Sequence, residues 1–165
     1  MAESIATWFA TTFEGLPHEL IIFLVSMVPV VELRGGLILA PIFGMNIWKA
    51  ILICLAGNIV PVPIILLFIT KIFSWLKTTR LLKGFAEKLE AKAMNKSEKI
   101  ARYEFWGLVL FVGIPLPGTG AWTGCFIAAL LGIKLKKAFP AVIIGLLIAT
   151  TIMCTITYGI PALFG

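Results

Sequence analysis

The chain has 165 residues, 60% of them apolar and only 13% charged, with a mean hydropathy of +1.05. A soluble domain carries about a quarter charged residues, and apolar runs of this length reside stably only in lipid, so a soluble globular protein is excluded. The net charge of +6 is uneven, and all eight acidic residues are glutamates. Every mechanism that needs an aspartate pair is thereby removed, including aspartyl intramembrane proteolysis and aspartate-based lipid-head transfer.

His18 is the only histidine, so a zinc site built on paired histidines is excluded. Cys54, Cys125 and Cys154 are scattered through apolar runs and read as small buried hydrophobes rather than a disulfide framework. With no nucleophile–base pair and no metal set, neither an enzyme nor a bound cofactor is expected.

In chain order, residues 1–17 form an N-terminal surface segment in which 5–16 are weakly amphipathic. The opening MAESIATWF lacks the basic region of a signal peptide, so the first apolar run is expected to remain in the chain. Four apolar blocks follow, at about 19–43, 47–76, 105–133 and 138–164, and 77–104 connect the second to the third. That connector holds eight basic residues, Lys77 to Arg102, against four glutamates. Leu82, Phe85, Ala86, Leu89 and Ala93 fall at helical spacing within it, which predicts an interfacial helix beside anionic lipid rather than a nucleic-acid site.

The second half repeats the first at an offset of 88. Leu20 falls on Leu108, Phe23 on Phe111, Pro29 on Pro117, Gly36 on Gly124, Gly44 on Gly132, Lys49 on Lys137 and Gly57 on Gly145. The ungapped series of proline, glycines and lysine argues for an internal duplication, giving repeat 1 at 18–76 and repeat 2 at 105–165.

The first block of each repeat is interrupted at its middle. Repeat 1 has Pro29 followed by Glu32, Arg34, Gly35 and Gly36, and repeat 2 has the run Pro115 to Gly124. Proline removes a backbone donor and lipid offers no substitute, so broken backbone at that depth must lie against protein or a water-filled cavity. A re-entrant hairpin of two half-helices meets that condition. Lysine placement agrees: if 19–43 and 105–133 are re-entrant, the connector and the trio Lys134, Lys136 and Lys137 share one face, with eleven basic residues cytoplasmic. The expected fold is an all-α integral membrane protein of two inverted-topology repeats, each a re-entrant hairpin followed by one transmembrane helix, 47–76 or 138–164. Its expected place is the inner or plasma membrane, as a multi-pass protein with the connector cytoplasmic. The Gly57-Asn58 to Pro63 run is expected to kink the first crossing helix.

Arg34 leads the site candidates, because an arginine deep in a bilayer costs at least about 2.5 kcal/mol and is functional by default. It precedes Gly35 and Gly36 at the start of a returning half-helix, whose N-terminus attracts anions. The alternative is an Arg34–Glu32 ion pair that only holds the tip together. Glu32 is the candidate proton carrier: desolvation favours its neutral form and Arg34 its ionised one. At the second tip Thr119, Trp122 and Thr123 offer hydroxyls and an indole N–H, while Gly118 and Gly120 admit a ligand to the backbone; a tight turn that simply needs glycine explains the same residues. Asn58 is the one amide inside an apolar block; it reaches a midplane cavity or satisfies carbonyls freed by the kink. Thr150, Thr151, Thr155 and Thr157 are expected to bond their own helix.

The run Glu32-Leu-Arg34-Gly35-Gly36, taken with Pro115-Leu-Pro-Gly-Thr-Gly-Ala-Trp-Thr-Gly124, resembles the prokaryotic small multidrug-export family, and the layout resembles the wider DedA superfamily. The resemblance covers the chain from residue 19 onward. It implies two re-entrant tips, with Glu32 and Arg34 at the charged one and Pro117 to Gly124 at the glycine-rich one. It also implies transport of a lipid-linked or amphipathic substrate, of polyprenyl-phosphate or phospholipid type. One departure is that DedA proteins carry more than one arginine at these positions, whereas this chain has only Arg34. The expected function is therefore a transporter or flippase for an amphipath with an anionic head, held between the tips, with proton coupling through Glu32. The alternatives are efflux of amphipathic cations with Glu32 as counter-ion, and a non-transporting membrane-organising protein. The expected partners are membrane lipid and a second copy of the chain, as a homodimer, since two crossings enclose little volume.

Overall fold

The computed structural model describes residues 15–29, 31–68, 84, 104–116 and 118–159. All regular structure among these is helical, with no strand. The N-terminal segment before residue 15 and the connector, except Gly84 and Glu104, lie outside the described residues, as do the sequence expectations placed on them.

Helix α1 is His18–Met27. Pro17 precedes it and lends its carbonyl to the N–H groups of Leu20 and Ile21. It ends because Val28 precedes Pro29 and is pushed to extended backbone, with ψ 129°. Helix α2, Glu32–Ile42, follows at once. Asn46 then caps α3, its side-chain oxygen accepting from the Trp48 N–H at 2.9 Å. The apolar helix from Ile47 to Phe68 is α3, interrupted at Val60 just before Pro61, whose nitrogen has no hydrogen to give. The interruption falls within the stretch where the sequence predicts a kink.

Helix α4 is Glu104–Gly113 and α5 is Ala121–Leu130. Helix α6, Leu135–Cys154, closes with a π-helical turn, Thr155–Gly159. It starts at Leu135, before the expected 138, because the Lys134 carbonyl already accepts from Lys137 and Ala138. At its far end the Thr155 hydroxyl donates to the Thr151 carbonyl at 2.9 Å, as the threonine stripe predicts. Both α3 and α6 are long and apolar enough to cross a membrane.

The chain divides into two compact units: residues 1–60 with 149–165, and residues 61–148. In unit 1, helices α1, α2 and the first part of α3 pack pairwise. Glycines set the closest approaches. A Cβ on Gly57 would strike the Phe23 carbonyl oxygen and Ser26, and one on Gly36 would strike Ser26 and Cys54. In unit 2, a Cβ on Gly145 would strike the Val109 carbonyl oxygen and Val112, and one on Gly124 would strike Val112 and Leu108.

These contacts correct one expectation. Gly36 and Gly124, like Gly57 and Gly145, stand 88 residues apart, but the residues they meet, Phe23 and Val109 or Ser26 and Val112, stand 86 apart. Pro29 therefore corresponds to Pro115 rather than Pro117, and the second break is two residues longer. The C-terminal caps after α2 and α5 keep the 88 offset: Gly44 at φ +65° donates to Pro41 and Met45 to Ala40, while Gly132 at φ +68° donates to Ala129 and Ile133 to Ala128.

Polarity is distributed inside out relative to a soluble protein. Trp48, Leu52, Trp106 and Leu110 are exposed, whereas Ser26, Glu32 and Asn58 are buried. A surface of this kind is matched to lipid, and burial of the polar groups shields them from it.

Candidate functional site

The charged residues of the first tip sit where α2 begins. Glu32 is its first residue, 3% exposed, with a backbone φ of +51°. A left-handed backbone costs a non-glycine residue about 1–2 kcal/mol. The corresponding residue of unit 2 is Gly120, which takes its own positive φ of +139° without that cost. Retention of a buried glutamate where glycine serves the geometry better points to a task for the carboxylate. Two residues on, Arg34 is half-buried and within electrostatic reach of Glu32. Gly35 follows, half-buried, and Gly36 is fully buried at the crossing with Ser26 and Cys54.

Asn58 shares unit 1 with this pair. It is fully buried, and neither its Nδ2 nor its Oδ1 has a hydrogen-bond partner. The sequence raised the possibility that its amide satisfies freed carbonyls, but the structure gives it no such bond.

The glycine-rich tip lies in unit 2. Gly118 is exposed at φ +77°, and Trp122 and Thr123 are half-buried in the first turn of α5. Thr119 is turned onto its own loop: its hydroxyl lies 2.8 Å from the carbonyl oxygens of Ile114 and Leu116 and accepts from the Leu116 N–H at 3.2 Å. The hydroxyl thus closes the turn. Pro117 lies outside the described residues.

Among the described residues, a lysine–glutamate ion pair is found in each unit. Lys49 Nζ lies 2.6 Å from Glu19 in unit 1, and Lys137 Nζ lies 2.9 Å from Glu104 in unit 2. The hydrogen bond from Lys49 holds the Glu19 carboxyl below the ordinary carboxylate range. The sequence reading missed three residues of unit 1: Ser26 and Cys54, which meet Gly36, and Tyr158. Ser26 is the one serine inside the first apolar block, and Cys54 stands one helical turn before Asn58. Both signals were present, but each residue is small enough to pass as filler.

Two apolar helices of crossing length, a lipid-matched surface and a buried charged tip define an all-helical integral membrane protein. Residues 32–152 match the model of the family described as "Putative small multi-drug export protein". The chain belongs to that family of membrane transporters. No curated protein and no solved structure matches it.

Proposed function

We propose that the chain is a transporter that moves an amphipathic substrate with an anionic head, of polyprenyl-phosphate or phospholipid type, across the cell membrane. The observation that carries this reading is the start of α2, where Glu32 is buried and Arg34 remains half-exposed two residues away. The buried carboxylate offsets part of the arginine's charge, and the guanidinium, only half-buried, is the cationic group that an incoming head meets. A planar guanidinium suits a phosphate or carboxylate through paired N–H donors, and a helix N-terminus adds favourable dipole. Gly35 and Gly36 keep side chains out of the approach, and Asn58 lies in the same unit. Glu32 is the proton carrier that couples transport to a pH gradient. Each sequence repeat, 18–76 and 105–165, is read as a re-entrant hairpin followed by a crossing helix, the two of opposite topology, with the basic connector cytoplasmic. The chain works as a homodimer.

Native mass spectrometry of the full chain with a polyprenyl phosphate tests the site. Arg34→Ala is expected to weaken binding about 10- to 100-fold, the worth of a charge-assisted hydrogen bond. Equal binding would return Arg34 to pairing with Glu32 alone. A transport rate in Glu32→Gln that still follows the imposed pH gradient would remove the proton role.

The family description favours a second reading, efflux of amphipathic cations with Glu32 as counter-ion. In that case a quaternary-ammonium amphiphile binds wild type, and Glu32→Gln, rather than Arg34→Ala, abolishes it.

A further inference from the structure

The two units build their cores on matching glycines but fill them differently. Ser26, Cys54 and Asn58 are all fully buried in unit 1. The positions that correspond in unit 2, through the Gly57 and Gly145 crossings, are Val112, Val142 and Leu146, equally buried and wholly apolar. Packing therefore does not require a polar residue at any of the three. Ser26 donates to the Ile22 carbonyl at 2.8 Å, and with Cys54 it faces Gly36. Asn58 continues the same face of α3 one turn further, with both amide atoms sealed and unpartnered.

Two more groups converge on this seam. The break at 28–31 and the four-residue joint at 43–46 make α1, α2 and α3 successively antiparallel. From the Gly36–Cys54 contact, four residues back along α2 is Glu32 and four residues on along α3 is Asn58. Both lie about 6 Å along the axes, so they share one level. The Tyr158 hydroxyl, on the π-helical turn, is also buried without a partner and within electrostatic reach of Cys54. A buried amide and the shielded hydroxyl of a half-buried phenol, both left unsatisfied, are stabilised by any opening that admits a hydrogen-bonding group.

We propose that Asn58 and Tyr158 form a hydrogen-bonding site for a hydroxylic ligand, water or a substrate hydroxyl, level with Glu32 inside unit 1. The class follows from the amide. A cation would leave the Nδ2 protons without an acceptor, and an anion would face the Oδ1 lone pairs, whereas a hydroxyl both donates and accepts. When α1, α2 and α3 loosen, the hydroxylic group enters along the Ser26–Cys54–Asn58 seam and gives Glu32 a route for its proton. The site rests on reading unit 1 as the transporter's working half, but it does not depend on the substrate head being anionic.

The chain contains three asparagines, Asn46, Asn58 and Asn95, so side-chain amide signals from asparagine-labelled protein in lipid vesicles are simple to assign. Water-edited solid-state NMR is expected to transfer water magnetisation to the Asn58 amide as it does to the exposed Asn46, and Asn58→Leu removes the signal. If water is absent but a dodecyl maltoside probe shifts the Asn58 resonance, and a dodecyl trimethylammonium probe does not, the ligand is a substrate hydroxyl. The absence of both responses overturns the proposal. Thermal unfolding guards against a purely structural role. Asn58→Leu installs the residue that unit 2 uses and is expected to unfold no earlier than wild type, whereas a marked fall in melting temperature would show an internally satisfied amide and also overturn the proposal. Arg34→Ala should leave the Asn58 signal in place, so failure of the anion site and failure of this site are told apart.

Discussion

Unit 1 and unit 2 share a packing plan and differ in what it carries. Each has a broken pair of short helices, a glycine at each helix crossing, a left-handed glycine after the returning helix, and a lysine–glutamate pair. Unit 2 fills that plan with Val112, Val142, Leu146 and Gly120. At the corresponding places unit 1 carries Ser26, Cys54, Asn58 and Glu32, three of them polar or charged and one of them strained. The apolar version shows what the packing alone demands. The departures in unit 1 are then the places to look for transport chemistry, because each carries an energetic penalty that the scaffold does not need.

The largest effect should come from reversing the difference. Leu146→Asn places in unit 2 the amide that unit 1 carries, with no function to offset it, and is expected to destabilise by about 2–5 kcal/mol in denaturant titrations of the detergent-solubilised protein. A neutral outcome would mean that the two cores tolerate polarity equally and would dissolve the contrast. Next come the crossing glycines. Gly57→Ala and Gly145→Ala each bring a methyl group onto a carbonyl oxygen of the neighbouring helix, at Phe23 or Val109. Each should lower stability by about 1–3 kcal/mol, and by similar amounts if the packing plan is shared. A large loss at only one of them would show that the units are not built alike.

Smaller and equally matched effects are expected at the caps. Gly44→Ala and Gly132→Ala meet no steric obstacle, so only the left-handed backbone resists them, by about 1 kcal/mol each. Smallest of all is the Glu19–Lys49 pair, whose members are largely exposed. Because the pair lowers the Glu19 pKa, its stabilisation is present above the ordinary carboxylate value of 4.5 and is lost as pH falls through the lowered one. A pH series of melting temperatures on wild type and Glu19→Gln should therefore converge on acidification. Curves that stay parallel down to the acid limit would show that the pair contributes nothing.

Much of the fold was legible from residue types. Long apolar runs with few charges predict helices in lipid; two described helices have crossing length, and the family to which the chain belongs is one of membrane transporters. Prolines predict the two breaks, because a proline forces the residue before it out of helical backbone, as Val28 shows. Glu32 and Arg34 could be singled out because charge in an apolar run carries a large penalty anywhere. The pairing of the first helices could not be read. Apolar helices match one another at many registers, and the two-residue difference between the breaks is invisible until a glycine crossing selects one of them. Thr119 illustrates a second limit: residue type shows a hydroxyl beside glycines, and only the loop geometry shows that it bonds the carbonyls of its own turn.

The sequence by itself determined membrane residence, the positions of the helix breaks and the charged tip, because each depends on local backbone chemistry or on transfer from water to lipid. Tertiary structure alone decided that Glu32 is buried on left-handed backbone, that the two units align 86 apart in one helix and 88 in the next, and that the Asn58 amide has no partner. Those depend on which surfaces approach within a methyl group's width, and residue order does not encode that distance until the chain has packed.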